Sequence, residues 1–145
     1  MRQESSRVTP VKYYEHAPGT SEEQGRREYP RNLVALREGR RLVQPVSEID
    51  YLTAAANYVH VCSAGQVLRI RSTIKAIEEH LDPQKFGRVH RCTIVNFDRV
   101  KEFRKLVRGD HMLILNDGTQ LKMSRRHRGE LGKIVGLAHA TGQPR

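Results

Sequence analysis

The chain has 145 residues, of which 26 are Lys or Arg and 16 are Asp or Glu, so its net charge at pH 7 is +10. This length suits one domain with a hydrophobic core and is too short for two of ordinary size. So large a positive excess favours an anionic partner, either nucleic acid or an anionic membrane surface. Charge alone does not decide between these partners.

The sequence shows neither a membrane span nor a secretion signal. Its longest apolar runs, such as residues 112–115, fall far short of the roughly 20 apolar residues that cross a bilayer. The N-terminus lacks the apolar segment of a signal peptide. We therefore expect a cytoplasmic protein with no membrane insertion, in which Cys62 and Cys92 are reduced core thiols.

The two ends of the chain lack the apolar residues that a core requires. In residues 1–31, Glu, Arg, Ser, Gly and Pro are frequent and apolar side chains occur singly, so burial cannot offset the entropy lost on ordering. We expect a disordered arm there and a frayed tail at residues 139–145. Residues 32–138 are then the domain, and almost all of the net positive charge falls within it.

Short apolar segments separated by turn residues follow the arm, and this pattern predicts antiparallel strands. Residues 33–46 carry a hairpin signal with Gly39 in the turn. Along residues 59–62, alternation places both valines on one face, opposite His60 and Cys62. This half of the domain should therefore be rich in β-structure.

Two helices are predicted. The first covers residues 72–81, where Ser72 or Thr73 can cap the N-terminus and apolar residues recur at i, i+3 and i+7. The second begins at Ser124 and is expected to be a capped C-terminal helix. Its inward-facing residues would be Leu131, Ile134, Val135 and Leu137.

Between the helices, two strands flank an Asp-Gly turn. Residues 112–115 are apolar on both faces, which predicts a central strand. Asp117 and Gly118 fit a two-residue type I′ turn into the next strand. The chain is therefore expected to be mainly β with minor α.

The basic segment Ser124–Arg128 is the first candidate site, at the predicted start of the last helix. Cations there oppose the helix macrodipole, so the arrangement is unfavourable until an anion binds. A serine hydroxyl and the guanidinium groups of Arg125, Arg126 and Arg128 suit phosphate oxygens or the O6 and N7 atoms of guanine. A merely solvated cationic face is the competing interpretation.

A second candidate site contains Arg88, His90 and Arg91, directly before the apolar run 93–95. In an extended chain, Arg88 and His90 would point one way and Val89 and Arg91 the other. One of these cationic side chains can then pack against the protein while another extends into solvent. For His90, a half-buried, hydrogen-bonded side chain with no binding role is the alternative.

The third candidate site is the loop at residues 54–58. Its small residues permit close approach of another surface, and Asn57 and Tyr58 can donate hydrogen bonds to bases or phosphates. Alternatively, Asn57 supplies a left-handed turn and Tyr58 begins a strand.

The sequence gives little support for a metal site or for an enzymatic activity. The pairs His60-x-Cys62 and His90-x-Cys92 supply zinc-type ligands, but the spacing is uncommon and each cysteine also fits as a small buried apolar residue. The common motifs of serine hydrolases, zinc proteases and nucleotide-binding loops are absent from the sequence. We therefore expect no cofactor and no enzymatic activity.

Taken in order, the motifs resemble one family, the LytTR-type DNA-binding domain, which is the output module of many bacterial LytR/AlgR-like response regulators. The resemblance covers about residues 33–137 and rests on the segments EIDYLTAAANYVHV, RSTIKAIEEHL, FGRVHRCTIVN and LNDGTQLKMSRRHRGEL. The family pattern F-x-R-x-H-[RK]-S-x-[IVL]-[VI]-N is met at Phe86, Arg88, His90, Arg91, Ile94, Val95 and Asn96.

The resemblance implies an elongated fold of short antiparallel β-sheets with a small helix and a C-terminal helix. It also implies a transcription regulator of a two-component system, bound to paired sites in promoter DNA. Whether the protein forms a homodimer on DNA, and whether it has a regulatory partner protein, are both open. Loops rather than a recognition helix would enter successive major grooves. The implied contacts are Asn57, Tyr58, Arg88, His90, Arg91, Ser124, Arg125 and Arg126.

Within this set, the resemblance and side-chain chemistry together suggest two roles. Arg91 and Arg126 suit base reading, because a guanidinium group can bond guanine through two parallel hydrogen bonds. Ser124, Arg125 and Arg128 would position phosphates.

Two features depart from the family pattern. Cys92 stands where the family usually has serine, which removes a hydroxyl and introduces a thiol that could sense an oxidant. The family commonly carries an upstream receiver domain, which 31 residues cannot hold. A stand-alone regulator, controlled by a partner or by abundance, and an excised output domain are both open.

Two other classes of protein are alternatives. A basic RNA- or single-strand-binding β module would need aromatic stacking platforms, whereas Tyr51, Phe86 and Phe103 fall at core-like strand positions. A protein-interaction module with incidental charge would show no salt-dependent affinity for nucleic acid.

Overall fold

The computed structural model describes residues 28–134. The predictions for residues 1–27 and for residues beyond 134 lie outside this range, and they include most of the disordered arm, the inward positions of Val135 and Leu137, and the tail. The chain divides into two compact units between Asp82 and Pro83. We call them the N-terminal unit, residues 28–82, and the C-terminal unit, residues 83–134, and describe each by itself.

The N-terminal unit is an antiparallel sheet of five strands followed by a short helix. Its strands are β1 (Asn32–Arg37), β2 (Arg40–Pro45), β3 (Tyr51–Ala55), β4 (Tyr58–Ser63) and β5 (Gln66–Arg71). A 3-10 turn occupies Val46–Glu48, and the helix α1 covers Ile74–Glu78. The order across the sheet is β2-β1-β5-β4-β3.

Two tight turns set the register of this sheet. In the β1–β2 turn, Glu38 and Gly39 have φ of 50° and 79°, and in the β4–β5 turn, Ala64 and Gly65 have φ of 51° and 81°. Positive φ at both central residues is the backbone of a type I′ turn, whose twist matches that of the adjoining strands. The predicted hairpin around Gly39 is confirmed.

The core of the N-terminal unit follows the predicted alternation. Val59 and Val61 are fully buried, whereas His60 and Cys62 on the opposite face are half-buried. The helix α1 is capped by Thr73, whose hydroxyl accepts a hydrogen bond from the amide of Ala76 at 3.0 Å. The predicted apolar stripe of the helix is buried at Ile74, Ile77 and Leu81.

The C-terminal unit contains a two-stranded hairpin and a three-stranded sheet. Its strands are β6 (Phe86–His90), β7 (Thr93–Asn96), β8 (Val100–Lys105), β9 (His111–Leu115) and β10 (Gln120–Met123). β6 pairs with β7, and β9 pairs with both β8 and β10, all antiparallel. The prediction that residues 112–115 form a central strand is confirmed, and both units fit the predicted fold class.

Short 3-10 segments follow three of the strands of the C-terminal unit. They occupy Phe97–Arg99, Val107–Gly109 and Arg125–Glu130, and residues 131–134 are α-helical. The predicted helix from Ser124 is therefore wrong in its first turns: residues 125–130 form a 3-10 segment, and no side chain of Ser124 caps it. Local periodicity missed this difference because tertiary hydrogen bonds constrain the start of the segment.

The predicted type I′ turn at Asp117 and Gly118 is also wrong. Gly118 has a left-handed φ of 93°, but Asp117 does not. The amide of Gly118 donates to the carbonyl of Leu115 at 2.9 Å, and the amide of Leu115 donates to Thr119 at 2.8 Å. This is a three-residue loop ending in a glycine bulge, and the Asp117 carboxylate closes it by accepting from the Thr119 amide at 2.9 Å.

Three side chains are more exposed than predicted. Phe103 was expected in the core but is 41% exposed. Its ring lies edge-on to the ring of His111, with 6.1 Å between the two ring centroids. Cys62 and Cys92 are not joined in a disulfide, and both are half-buried, whereas core positions were expected. Cys62 lies on the opposite strand face from its buried neighbours Val61 and Ser63, and Cys92 lies in the β6–β7 turn beside the exposed Arg91.

Candidate nucleic-acid interface

The β6–β7 hairpin carries the first group of predicted contact residues. Its register shifts between Arg88 and His90, and Arg91 and Cys92 form the turn. Arg91 is exposed there, so the predicted alternation did not extend to it: the strand ends at His90. The position of Arg91 at the tip is set by the turn rather than by the pleat of the strand.

Two side chains of the hairpin are engaged in holding its turn. The Arg88 guanidinium donates to the carbonyl of Arg91 through Nε at 3.3 Å and Nη2 at 3.0 Å. The His90 ring is half-buried, and its Nδ1 accepts from the amide of Cys92 at 3.3 Å. Because both side chains bond to the backbone of the turn, Arg88 and His90 brace the position of Arg91.

The basic segment Ser124–Arg128 is tied to this hairpin. The amide of Ser124 donates to the carbonyl of Val89 at 3.0 Å, which brings two predicted contact groups together from distant parts of the sequence. The hydroxyl of Ser124 lies 2.9 Å from Nδ1 of His127. Arg125, Arg126 and Arg128 are all exposed along the segment.

Asp110 makes a second connection to the basic segment. Its Oδ1 accepts from the amide of Arg125 at 2.9 Å, and its Oδ2 lies 3.5 Å from Nζ of Lys122. The hydrogen bond from Arg125 is the main reason why the pKa of Asp110 is below its ordinary value, with the charge of Lys122 acting in the same direction and partial desolvation opposing both. The carboxylate is therefore ionised at neutral pH.

The turn before Asp110 adds a cation that the sequence did not single out. Arg108 and Gly109 have left-handed φ of 63° and 86°. The carbonyl of Arg108 accepts from Nη1 of Arg125 at 3.5 Å, and the Arg108 side chain is exposed. The Arg-Gly-Asp tripeptide was the available signal, because an acid within a cationic region next to glycine favours a tight turn.

The C-terminal unit thus gathers exposed guanidinium groups on connected loops, which we call the arginine loops. They are Arg91, Arg108, Arg125, Arg126 and Arg128. Like charges held on neighbouring segments repel one another, and an anion bound among them lowers that repulsion. The loops are therefore suited to a polyanion such as a phosphate backbone.

The third predicted contact lies in the N-terminal unit, at the turn between β3 and β4. Asn57 is exposed in the turn, and Tyr58 is half-buried at the first position of β4. The positive φ belongs to Ala56, at 55°, so the alternative of a left-handed Asn57 is not met, whereas Tyr58 does begin a strand. No motif in the sequence pointed to Arg69, whose guanidinium carbon lies 4.6 Å from the centroid of the Tyr58 ring.

No metal site is found among residues 28–134, where no three His, Cys, Asp or Glu side chains lie together in a way that could hold an ion. The pairs His60-x-Cys62 and His90-x-Cys92 are therefore not part of such a cluster among these residues. In the same part of the chain, no helix is long and apolar enough to cross a membrane.

Comparison with known proteins identifies the class of protein that this fold and these loops define. The model of the LytTr DNA-binding domain matches residues 39–136, which is more than half of the chain. The chain therefore belongs to the LytTr DNA-binding domain family. This is a family of DNA-binding domains rather than of enzymes, so the two predictions that concern family and catalysis are confirmed.

Relatives in several bacteria support this assignment. The chain is 28% identical over 94 residues to the sensory transduction protein LytT of Bacillus subtilis, covering 65% of this chain and 39% of that protein. It is 28% identical over 93 residues to a response regulatory protein of Vibrio cholerae, covering 64% and 38%. The chain thus matches about two fifths of the length of these relatives.

A solved structure shows the same fold. It is the LytTr DNA-binding domain of a response regulator from Bacillus cereus, and it superposes with a TM-score of 0.67 at 20% sequence identity. The match covers 72% of this chain and 96% of that one.

Proposed function

We propose that the protein is a sequence-specific regulator of transcription that binds double-stranded DNA and reads successive major grooves through its loops. The observation that carries the proposal is the hydrogen bond from Ser124 to Val89, which holds the Arg91 turn and the basic segment together. Contacts from two neighbouring loops can select a base sequence only if their spacing is constant. Membership of a DNA-binding domain family supports DNA as the partner.

The proposal assigns different roles to the cations of the C-terminal unit. Arg91 and Arg126 are proposed base readers, because both are exposed and a guanidinium fork matches the O6 and N7 atoms of guanine. Arg125 and Arg128 are proposed phosphate contacts, joined by the hydroxyl of Ser124, which would share its bond with His127.

Four further predicted contacts differ in how directly they would act. Arg88 and His90 would act through the turn that they brace, rather than by reading bases themselves. Asn57 would reach DNA from the N-terminal unit, and Tyr58 would support that turn with its ring held against Arg69. Substitution of Arg88 or His90 would therefore also affect Arg91, whose turn both side chains hold.

How the protein assembles on DNA is a second part of the proposal. We propose binding to paired repeats in promoters, with two copies on one duplex, and control by a partner protein or a segment beyond the aligned region. The curated relatives, of which this chain matches about two fifths, are named as sensory transduction and response regulatory proteins. Their printed names support the regulatory role and not any target gene.

One observation favours a second candidate function. Phe103 is 41% exposed, so its ring is available for stacking by an unpaired base. A buried Phe103 would have spoken against the binding of single strands, and this ring is not buried. A single exposed ring is a small platform, since single-strand binders stack successive bases on several aromatic side chains. Duplex DNA therefore stays the favoured partner.

Selection from a random pool tests the proposal. The pool contains duplexes together with the corresponding single-stranded DNA and RNA. Selection is carried out at physiological salt, because low salt strengthens the electrostatic binding that does not depend on sequence. Recovery of a repeated duplex motif supports the proposed function. Enrichment of single strands contradicts it, and Phe103→Ala then shows whether stacking on that ring is responsible. Recovery with no common motif reduces the function to non-specific DNA binding.

A further inference from the structure

The amide groups of two consecutive residues tie the basic segment to two different elements. Ser124 donates to the carbonyl of Val89 on β6, and Arg125 donates to the carboxylate of Asp110, which directly precedes β9. A single hydrogen bond would hold the segment at one point beyond the end of β10, and its direction could still vary. Two bonds from neighbouring amides to separate anchors restrict that direction, so the directions of the following side chains are constrained.

We propose that Asp110 is a positioning residue for DNA reading, which holds the basic segment so that Arg126 keeps a constant geometry relative to Arg91. This inference rests on the proposed function and names a residue that the motif-based contacts do not include. Asp110 would touch no base and no phosphate. Its positioning effect would pass through the amide of Arg125.

The charge of Asp110 argues for orientation rather than for affinity. A surface that only attracted phosphates would bind more strongly without an acid, because each negative group reduces the attraction to DNA. Asp110 nevertheless lies between Lys122 and Arg125, with its carboxylate 3.5 Å from the lysine ammonium. A carboxylate retained there lowers non-specific attraction while it fixes the segment, and both effects raise the preference for one sequence.

The geometry of the turn before Asp110 fits this role. Gly109 packs directly against the basic segment: a Cβ built on it would be in ordinary van der Waals contact, 3.5 Å from Cβ of Arg125 and 3.6 Å from Nη1 of Arg128. The carbonyl of Arg108 also accepts from Nη1 of Arg125 at 3.5 Å. The turn therefore contacts the basic segment through backbone as well as through the carboxylate.

The chain offers a matched control at the other end of the same strand. Asp117 follows β9 as Asp110 precedes it, and its carboxylate likewise accepts a backbone hydrogen bond, from Thr119 at 2.9 Å. Asp110→Ala and Asp117→Ala therefore change the net charge equally and each remove one bond from a carboxylate to an amide. Only the first of these bonds involves the basic segment.

The experiment measures affinity for the selected duplex and for a scrambled duplex of equal length. We expect Asp110→Ala to reduce the ratio of the two affinities about fivefold, the factor that corresponds to one lost capping bond. Affinity for the scrambled duplex should stay the same or rise. Asp117→Ala should leave the ratio unchanged, and Asp110→Asn, which keeps an acceptor oxygen, should retain most of it.

Three results would overturn the inference. Equal changes in the ratio for Asp110→Ala and Asp117→Ala would show an effect of charge alone. An equal loss of affinity for both duplexes would show a general structural role. Loss of the ratio in Asp110→Asn to the same extent as in Asp110→Ala would show that the hydrogen bond is not the cause.

A second measurement does not depend on DNA. Hydrogen exchange at the amides of Ser124 and Arg125 should be faster in Asp110→Ala than in the wild type, and unchanged in Asp117→Ala. If the wild-type protein prefers no duplex, the proposed function fails while this measurement still tests the anchoring by Asp110. Unchanged exchange at Arg125 would overturn the inference by itself.

Discussion

The two units present their candidate contacts in different ways. In the N-terminal unit, Asn57 and Tyr58 are neighbours in sequence, and one tight turn between paired strands presents both. In the C-terminal unit, Arg91 and the basic segment are more than 30 positions apart and meet through the bond from Ser124 to Val89. The first contact depends on local chain geometry and the second on tertiary packing, so they should respond differently to substitution.

Gly87→Ala should have the largest effect, because it should destabilise the packing that holds the Arg91 hairpin in the C-terminal unit. A Cβ at this position would overlap the ring of the buried Phe97 and approach Oε1 of Glu130, which follows the basic segment. Overpacking of this kind costs about 3 kcal/mol in the free energy of unfolding. Urea unfolding measures the loss. Gly132→Ala is the control, because nothing lies within 4 Å of its added Cβ; equal stability changes in the two variants would contradict the packing argument.

Arg91→Ala should separate base reading from general attraction in the C-terminal unit. We expect a loss of about 1–3 kcal/mol on the selected duplex and a relaxed preference at one base position. Binding to duplexes mutated at each position measures both effects. Arg104→Ala provides the control, since Arg104 is exposed on β8 and pairs with Glu102 at 2.8 Å. A uniform loss over all sequences would make Arg91 a phosphate contact.

Arg128→Ala should lower affinity for every duplex by a smaller amount. Because a phosphate contact releases counterions, the slope of log affinity against log salt should become shallower by about one. Titrations at several salt concentrations measure this slope. An unchanged slope would refute the assignment of Arg128 to a phosphate and would restrict the polyanion contact to the remaining arginine loops.

Arg69→Ala should change the free energy of unfolding least, and its effect should be confined to the N-terminal unit. An exposed cation over a tyrosine ring contributes about 0.5–1 kcal/mol. A double-mutant cycle with Tyr58→Leu measures this coupling from the free energy of unfolding. Arg71 lies directly opposite Tyr58 in the strand register and is the comparison residue. Equal coupling of Tyr58 to Arg69 and to Arg71 would show that the stacked geometry adds nothing.

Much of the fold could be predicted because its signals are local. Alternation placed Val59 and Val61 in the core, and the Glu-Gly turn produced the first hairpin as expected. The predictions failed where tertiary contacts compete with local preference. Thus Phe103 is exposed despite its strand position, and residues 125–130 adopt 3-10 geometry in a segment whose pattern favours an α-helix.

The candidate site was predictable to a similar extent. The motif resemblance found the exposed cations Arg91 and Arg126, because their residue types and order are visible in the sequence. It did not find Arg69 or Asp110, whose roles depend on a stacked ring and on a hydrogen bond across 15 positions. The function of His90 was open in the sequence, and its bond to the Cys92 amide favours a bracing role.

The sequence by itself determined the family, the positive charge, the strand pattern and the identities of the exposed cations. These properties depend on residue type and short-range periodicity, which are readable without coordinates. Only the tertiary structure decided that Arg91 occupies a turn and that the amides of Ser124 and Arg125 are anchored by Val89 and Asp110. Those contacts join residues far apart in the chain, and their formation depends on how the strands pack rather than on any local pattern.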